Sequence, residues 1–483
     1  MALPVETFFL DPTAQGTLKA QIQQMIAEGI LSGRFRPGEK LPSSRKLANH
    51  LKISRITVTL AYTDLVADDY ITSRGRSGYF VSQNAPQPPS FPTLRPQNDS
   101  VDWNRVLSSQ TPDEMPFEKP LDWQNYRYPF IYGQADPDLF DRANWRLCSL
   151  QALGKRDFAA LTSDYVDQDD PKLVEFIARH ILPRRGIKAH ADEILVTMGA
   201  QNALWLAAQL LLTQRRNAAI EEPCYPGLRD ILEQTRCNLH HIEVDEDGLP
   251  PADLPADIDV VFCTPSHQCP TTASMPLARR KVLLNQATQQ DFIIVEDDYE
   301  FEMSFLEAPS PALKSLDQDG RVVYIGSFSK SLAPGLRLGY MVGPAPFIRE
   351  ARKLRASVLR HPPGQIQRTA AYFLSLGHYD ALVKRMSKAF HARRNTLEAA
   401  IDRYGLTVAG RGAYGGSSIW MRADGRRNTV ELARELKTKG VLIEPGAPFF
   451  LPDKDRICHY RLAYSSIPEN RIAEGIRILA ETI

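Results

Sequence analysis

The chain has 483 residues, of which 43% are hydrophobic and 24% charged, and its formal net charge is +1. This length predicts two or three domains of a soluble globular protein, and the near-neutral charge gives the whole chain no nucleic-acid signature. No apolar stretch approaches the ~18 residues of a membrane span, and the six cysteines form no CxxC pair or ligand cluster. We therefore expect a cytoplasmic protein with reduced thiols, no metal and no membrane segment.

Residues 1–82 carry ten Lys and Arg against seven Asp and Glu, and they contain compact helix signals. Apolar residues at helical spacing predict an amphipathic helix over 17–31. Ser43 and Ser44 can cap a second helix, and Ser54 can cap a third after a brief turn. Two short apolar runs, 70–73 and 79–81, flank a basic turn and predict a two-stranded wing. Together these elements predict a winged helix-turn-helix that reads DNA with its third helix.

The motifs 37–45 (PGEKLPSSR) and 54–58 (SRITV) resemble the winged helix of GntR-type regulators. The resemblance implies that this domain contacts double-stranded DNA, through phosphates or base edges, at Arg45, Ser54, Arg55, Thr57, Gly75 and Arg76. Arg45 is expected on phosphate and Arg55 on a base; the alternative is that both arginines are solvated helix faces. The sequence departs from its relatives at Asp68-Asp69-Tyr70, where they usually have a glycine.

Residues 83–118 are rich in proline and poor in large apolar residues, which is typical of a linker. From residue 119 to the end, short apolar strands alternate with longer helical patterns, which predicts an α/β domain with a mostly parallel sheet. The predicted domains are therefore 1–82, the linker 83–118, and 119–483.

Three features of the C-terminal domain point to bound chemistry. A strand ending near Met198 runs into Gly199, Ala200 and Gln201, which open a helix whose free N–H groups suit a phosphate. That signal is weak alone. Asp297 closes one apolar run. Lys330 lies 33 residues after Asp297 and follows a second apolar run. A lysine can form an imine with an aldehyde cofactor, and an acid can keep a pyridine nitrogen protonated.

The segment 326–340 (GSFSKSLAPGLRLGY) resembles the lysine motif of fold type I aminotransferases, which hold pyridoxal 5'-phosphate (PLP). The resemblance implies that Lys330 forms the Schiff base and that Asp297 binds the ring nitrogen. It also implies cofactor roles for Gly199, Ala200, Gln201, Tyr225, Tyr299, Ser327 and Arg337. Arg461 and Gly133 match residues that hold the substrate carboxylate, and Arg229 is a further candidate whose alternative is a surface helix arginine.

The variant Ser266-His267-Gln268 resembles the MocR/GabR family, in which a GntR-type winged helix is fused to an aminotransferase-like domain. His267 is either a hydrogen-bond partner of the cofactor or a buried structural histidine. Relatives commonly have an aromatic residue at Cys269 and glycine at Thr272. The family organisation implies a homodimer, arranged head-to-tail.

These observations predict a PLP-dependent transcriptional regulator. By its family likeness, an amine or amino-acid effector would form an external aldimine with PLP at Lys330 and alter DNA binding. Two alternatives remain open: an aminotransferase with an accessory DNA-binding domain, and a sensor of PLP itself. Transamination as a side activity is compatible with the first reading, so whether the protein is an enzyme stays undecided.

Overall fold

A computed structural model describes residues 2–11, 16–86, 101–107, 119–308, 310–451 and 457–483. The chain divides into two compact units, Met1–Thr111 and Pro112–Ile483. Most of the predicted linker, 83–118, lies outside the described residues. Within the described ranges, no helix is both long and apolar enough to cross a membrane.

The first unit contains the predicted winged helix, and its helices begin where the sequence places their caps. The helices are α1 Leu18–Leu31, α2 Ser44–Leu51 and α3 Arg55–Ala67. The Ser43 hydroxyl accepts a hydrogen bond from the Lys46 amide at 3.2 Å, and the Ser54 hydroxyl accepts from the Ile56 amide at 3.3 Å. These bonds satisfy amides that the first turn of a helix leaves free. The inward face of α3 is apolar and buried, and it consists of Val58, Ala61, Tyr62 and Leu65.

The wing consists of β1 Ile71–Ser73 and β2 Tyr79–Val81, paired antiparallel as predicted. Asp69, just before the wing, has a φ of +60°. Glycine adopts this left-handed conformation without a Cβ penalty, which explains the glycine that relatives have here. The chain keeps the turn with an aspartate instead. A short helix, α4 Trp103–Val106, follows the wing.

The second unit is an α/β domain. Its elements up to the long helices are β3 Tyr128–Pro129, α5 Arg142–Ala152, α6 Ala159–Thr162, α7 Pro171–Phe176, β4 Ile194–Thr197, α8 Ala200–Leu211, β5 Asn217–Glu222, α9 Pro226–Gln234, β6 Asn238–Glu243, β7 Val260–Cys263, α10 Leu277–Gln290, β8 Ile293–Asp298, α11 Leu313–Leu316, β9 Val322–Ser327, β10 Gly339–Val342 and α12 Ala345–Leu359. The remaining elements are α13 Gly364–Ser375, α14 His378–Tyr404, β11 Thr407–Gly410, β12 Ser418–Arg422, α15 Thr429–Thr438, β13 Val441–Leu442, β14 Glu444–Pro445, β15 His459–Ala463 and α16 Glu469–Thr482.

Seven strands form the main sheet in the order β4-β10-β9-β8-β7-β5-β6. Strands β6, β5, β7, β8 and β9 are parallel, whereas β10 runs antiparallel to both of its neighbours. The sheet is thus mixed, mostly parallel as predicted with β10 as the exception. The parallel strands β5, β7, β8 and β9 are almost wholly buried, because helices cover both faces, whereas the edge strand β6 is mostly half-buried or exposed. In such sheets ligands bind at the carboxyl ends of the strands.

A second, antiparallel sheet has the order β11-β12-β15-β14. A separate parallel pair joins β13 to β3, so that the segment around Tyr128 lies beside residues far along the chain. The register of the small sheet places Arg461 of β15 directly opposite Glu444 of β14 and Trp420 of β12. This register fixes the surroundings of Arg461.

Candidate functional site

The predicted DNA-contacting side chains occupy the open face of the winged helix. Arg45, on α2, and Ser54 and Arg55, at the start of α3, are exposed, and Thr57 is half-buried. The Ser54 hydroxyl is engaged as the α3 cap. A recognition helix presents its N-terminal residues to base edges, so Arg55 is the best placed of the four to reach a base.

The start of α3 also exposes apolar side chains that were not among the predicted DNA contacts. Ile56 is 70% exposed and Leu60 is 49% exposed. Thr59 is half-buried, and its hydroxyl donates to the Arg55 carbonyl at 2.9 Å. In the wing, Gly75 has a φ of +51° and is exposed at the tip. Arg76 lies beside it, but its side chain is outside the described part of the structure.

In the second unit, a cavity of about 280 Å³ lies at the carboxyl ends of β8 and β9. It brings together nine of the residues predicted for the cofactor and the effector, namely Gly133, Ala200, Gln201, Tyr225, Asp297, Tyr299, Ser327, Arg337 and Arg461, together with Lys330. The cavity is also lined by Lys119, Tyr132, Cys269 and Glu444. No local sequence pattern marks Lys119 or Glu444. Tyr132 directly precedes Gly133, so the motif that identified Gly133 could also have identified Tyr132.

The Lys330 side chain contacts an aromatic ring and lies beside a glycine. Its Nζ lies 3.8 Å from the centroid of the Tyr132 ring, and a Cβ built on Gly133 would lie 2.8 Å from that Nζ. The Lys330 pKa is lowered to about 8, chiefly by burial; Glu300 and Glu444 oppose this shift, and the charges of Lys119 and Arg461 contribute to it. An amine with this pKa is partly neutral near neutral pH, which a nucleophile requires.

Asp297 lies next to the last residue of β8, opposite Ile325 of β9. Its side chain is buried, and Oδ1 has no hydrogen-bond partner among the described residues. Burial raises the Asp297 pKa to about 7, with further contributions from Asp298 and Glu221, and Lys330 opposes the shift. A buried carboxyl oxygen without a partner needs a proton donor at that position. The cavity is where such a donor would sit.

The loop between β9 and β10 carries both Lys330 and Arg337. Arg337 Nη2 donates to the Met198 carbonyl at 3.3 Å and would lie 3.3 Å from a Cβ on Gly199. Gly199 has a φ of +80° and is the N-cap of α8, and Ser329 Oγ would be 3.7 Å from the same Cβ. The guanidinium, the hydroxyl and the helix N-terminus therefore converge on one end of the cavity, as an anion site requires.

At the opposite end of the cavity, the Arg461 guanidinium is buried. Arg461 Nε donates to Glu444 Oε2 at 2.8 Å, and the guanidinium carbon lies 3.9 Å from the centroid of the Tyr132 ring. Burial would raise the Glu444 pKa, but Arg461 and Lys119 overcome this effect and hold the pKa below its usual value. The pair is therefore charged, and Arg461 is oriented before any ligand arrives.

Three predicted residues lie outside the lining of this cavity: Gly199, described above as the N-cap of α8, His267 and Arg229. His267 is inserted between Glu300, with Nε2 3.5 Å from Oε2, and the backbone of Gly416. Its ring centroid is 6.1 Å from that of Tyr299, and burial lowers its pKa. Its Nε2 has no hydrogen-bond partner among the described residues, so the contact with the cofactor and the structural role both stay predictions. Arg229 Nη2 donates to the Pro448 carbonyl, so its guanidinium is engaged by the backbone.

Cys269 and Thr272 are the positions where relatives usually have an aromatic residue and a glycine. Cys269 lines the cavity, so its small thiol leaves room there that an aromatic ring would fill. Thr272 is buried and has a φ of +65°, the conformation for which glycine is the usual residue. As at Asp69, the chain keeps the backbone turn while changing the residue.

Two families match separate parts of the chain. The family "Bacterial regulatory proteins, gntR family" matches residues 18–81, and "Aminotransferase class I and II" matches residues 152–463. The first range covers the three helices and the wing. The second range covers most of the unit that contains the cavity, including Lys330, Asp297 and Arg461.

Relatives extend over the whole chain. The HTH-type transcriptional regulator TauR of Rhodobacter capsulatus is 57% identical over 483 residues, covering 100% of both chains. The "Probable rhizopine catabolism regulatory protein MocR" of Rhizobium meliloti is 29% identical and covers 97% of this chain and 94% of its own. Among solved structures, a kynurenine aminotransferase of Pyrococcus horikoshii in complex with PMP superposes with a TM-score of 0.70 at 26% identity. It covers 79% of this chain and 97% of its own.

Proposed function

The chain belongs to the MocR/GabR family of GntR-type transcriptional regulators with an aminotransferase-like domain, and we propose that its second unit senses an amine or amino acid through PLP held on Lys330. The observation that carries this proposal is the buried, unpartnered Oδ1 of Asp297 in the described structure, beside the cavity that contains Lys330. A protonated pyridine nitrogen is the partner that this oxygen lacks.

The residues of the cavity fit PLP in position and in chemistry. Lys330 offers an amine of lowered pKa, and Gly199, Ser329 and Arg337 offer donors for the phosphate. Tyr225 lies at the N-cap of α9 and lines the cavity, where its ring can cover one face of a planar ligand. When bound, PLP supplies an aldehyde that condenses with a primary amine.

Each protein group then has a defined task. Asp297 holds a proton donor at Oδ1, and its negative charge stabilises a positive ring. Tyr299 is half-buried and lines the cavity, so its hydroxyl can donate to a ring oxygen. Arg461, oriented by Glu444, binds an acidic group on the effector with its planar guanidinium. The buried walls exclude water from the amine that is exchanged.

The DNA-binding unit supplies the output. We propose that Arg55 reads a base, that Arg45 and Arg76 bind phosphates, and that two copies of the chain act as a head-to-tail homodimer on paired half-sites. Exposed apolar side chains on α5 and α6 support assembly with a second copy, because a monomer leaves them in water: Leu147, Leu150, Phe158 and Leu161. A regulator of chromosomal DNA acts in the cytoplasm of a bacterium.

A second function, transamination, has support from the same cavity. Lys330, Asp297, Tyr299 and Arg337 form the set that an aminotransferase uses, and the Lys330 pKa of about 8 favours proton transfer. Turnover and sensing therefore compete for one site. A response to PLP alone is the third possibility.

One experiment separates these functions. Binding to the DNA upstream of the protein's own coding sequence is measured for cofactor-free protein, protein with PLP, and protein with PLP plus candidate amines. Transamination over many turnovers is measured in parallel. Sequence-specific binding that an amine shifts supports the regulator, and a shift with PLP alone supports the PLP sensor. Robust turnover without sequence-specific DNA binding would overturn the proposal.

A further inference from the structure

Lys119 is a second cation in the effector end of the cavity. It is the first residue of the predicted effector domain, directly after the linker, and its side chain is 30% exposed. Its Nζ lies 3.3 Å from Glu444 Oε1 and also donates to the Tyr132 carbonyl. The residue therefore reaches the cavity from the start of the domain, while Arg461 reaches it from β15.

Lys119 and Arg461 share one carboxylate. Arg461 Nε binds Glu444 Oε2, and Lys119 Nζ lies 3.3 Å from Glu444 Oε1. Two positive groups around one negative group leave a surplus of one positive charge beside the cavity. Since both cations line the cavity, an incoming anion can approach both of them at once. A buried surplus charge favours a ligand that neutralises it.

The distance between the amine site and this charge limits the size of the ligand. A Cβ on Gly133 would lie 2.8 Å from Lys330 Nζ and 3.8 Å from Lys119 Nζ, so the two ammonium groups approach the same point. A ligand whose amine replaces that of Lys330 therefore meets the Lys119 charge after a short chain. Small primary amines with an acidic group match this spacing.

We propose that Lys119 binds the acidic group of the effector together with Arg461, and that it thereby ties effector binding to the chain leading to the DNA-binding unit. The inference rests on the proposed function, because it assigns a further residue to the same site. Without effector, Lys119 is engaged by Glu444 and the Tyr132 carbonyl. An effector anion that draws Lys119 away from these partners changes the start of the domain. Only such a difference between the two states can shift DNA binding.

The test compares amines with and without an acidic group on the PLP-loaded full chain. The probes are β-alanine, 2-aminoethanesulfonate and ethanolamine, which share a primary amine. Binding is followed by the visible absorbance of the cofactor, and DNA affinity is measured with and without saturating amine. The variants are Lys119→Gln, Lys119→Arg and, as a control, Lys439→Gln, which removes a lysine paired with Glu435 at 2.9 Å on α15.

We expect Lys119→Gln to weaken whichever acidic probe binds the wild type by about tenfold or more, since a charged hydrogen bond is lost. Ethanolamine binding should be unchanged. The change in DNA affinity caused by the acidic probe should shrink in parallel. Lys119→Arg keeps the charge and should retain most of the affinity, and Lys439→Gln should match the wild type.

Equal losses for ethanolamine, or no loss for the acidic probes, would overturn the role of Lys119. If Lys119→Gln does not fold, Lys119→Met takes its place, because it also removes the charge: unchanged ethanolamine binding with weakened binding of the acidic probe supports the proposal, and unchanged binding of both overturns it. A wild-type protein whose absorbance responds to no amine would instead contradict the proposed function itself. The two failures are thus distinguishable.

Discussion

The Lys330 ammonium lies over the face of the Tyr132 ring, with Nζ 3.8 Å from the ring centroid. The Arg461 guanidinium lies 3.9 Å from the centroid of the same ring. One aromatic side chain therefore contacts both the amine that would hold the cofactor and the arginine that would hold the effector. An electron-rich ring face stabilises both positive charges.

Replacing Tyr132 by leucine should therefore remove a stabilising contact from both Lys330 and Arg461. A desolvated cation–π contact contributes up to about 2 kcal/mol, so Tyr132→Leu should weaken binding of an acidic amine by up to about thirtyfold. Tyr132→Phe keeps the ring face and should retain most of the affinity. Titration of the cofactor absorbance measures both. Similar losses in the two variants would point to the hydroxyl rather than the ring.

Lys330→Ala should abolish the visible absorbance of protein-bound PLP, because no imine can form at this position. The variant should keep its winged helix and bind DNA, since Lys330 belongs to the other compact unit. Absorbance spectra after desalting and a DNA-binding assay give the two readouts. Persistence of the imine band would contradict the assignment of Lys330.

Gly133→Ala should impair cofactor and effector binding more than it impairs folding. The new Cβ would lie 2.8 Å from Lys330 Nζ, and the position has a φ of +75°, which costs an alanine about 1–2 kcal/mol. Gly377→Ala is the matched control, because Gly377 has a φ of +79° and no described atom within 4 Å of its Cβ. Both variants should lose thermal stability, and only Gly133→Ala should lose PLP affinity. Equal PLP affinity in both would refute the steric argument.

Arg55→Ala should cost about 1–3 kcal/mol of specific DNA binding if the side chain reads a base. Thr63→Ala is a control on the same helix, exposed but two turns farther from the N-terminus, and its effect should be small. Affinities on the target site and on random DNA are compared at one salt concentration. An equal loss on both DNAs would make Arg55 a phosphate contact instead.

The stability of the second unit should fall as pH rises from about 5 to 7, and Glu302 contributes to this fall. Burial raises the Glu302 pKa to about 7, against the hydrogen bond that the Tyr379 hydroxyl donates at 2.7 Å. Because the folded state holds this proton more tightly than the unfolded chain does, stability is greatest at low pH and declines until the folded pKa is passed. Glu302→Gln mimics the protonated acid and should flatten the decline by up to about 3 kcal/mol. Denaturant unfolding at pH 5 and pH 7.5 tests this, and an unchanged slope would contradict it.

Much of the fold followed from local signals. Ser43 and Ser54 cap the helices they were expected to cap, because a capping hydroxyl acts within a few residues of itself. Asp297 and Lys330 meet because adjacent parallel strands end at one edge of the sheet. The reversed direction of β10 was not predicted, since four buried residues read alike in either orientation.

The residues that were missed depend on long-range packing. Lys119 joins Arg461 only after segments more than three hundred residues apart fold together, and Glu444 joins it through the pairing of two strands, so no local pattern marks either residue. Ile56 was missed for a different reason. Apolar side chains were assigned to the core of α3, whereas this one is exposed beside Arg55. His267 was left open between two roles, and its distance from the cavity follows from its packing against Gly416.

The loop that returns from β9 into β10 has a consequence for inheritance and for engineering. It carries both Lys330 and Arg337, for which we propose contacts with the aldehyde and the phosphate of the cofactor, and the pairing of Gly339 with Ser327 fixes its two ends. Substitutions around the loop can therefore accumulate while the relative positions of Lys330 and Arg337 stay unchanged. A deletion or insertion of a single residue within it would displace both at once. Exchange of this segment between relatives should accordingly transfer Lys330 and Arg337 together, and with them the proposed attachment of the cofactor.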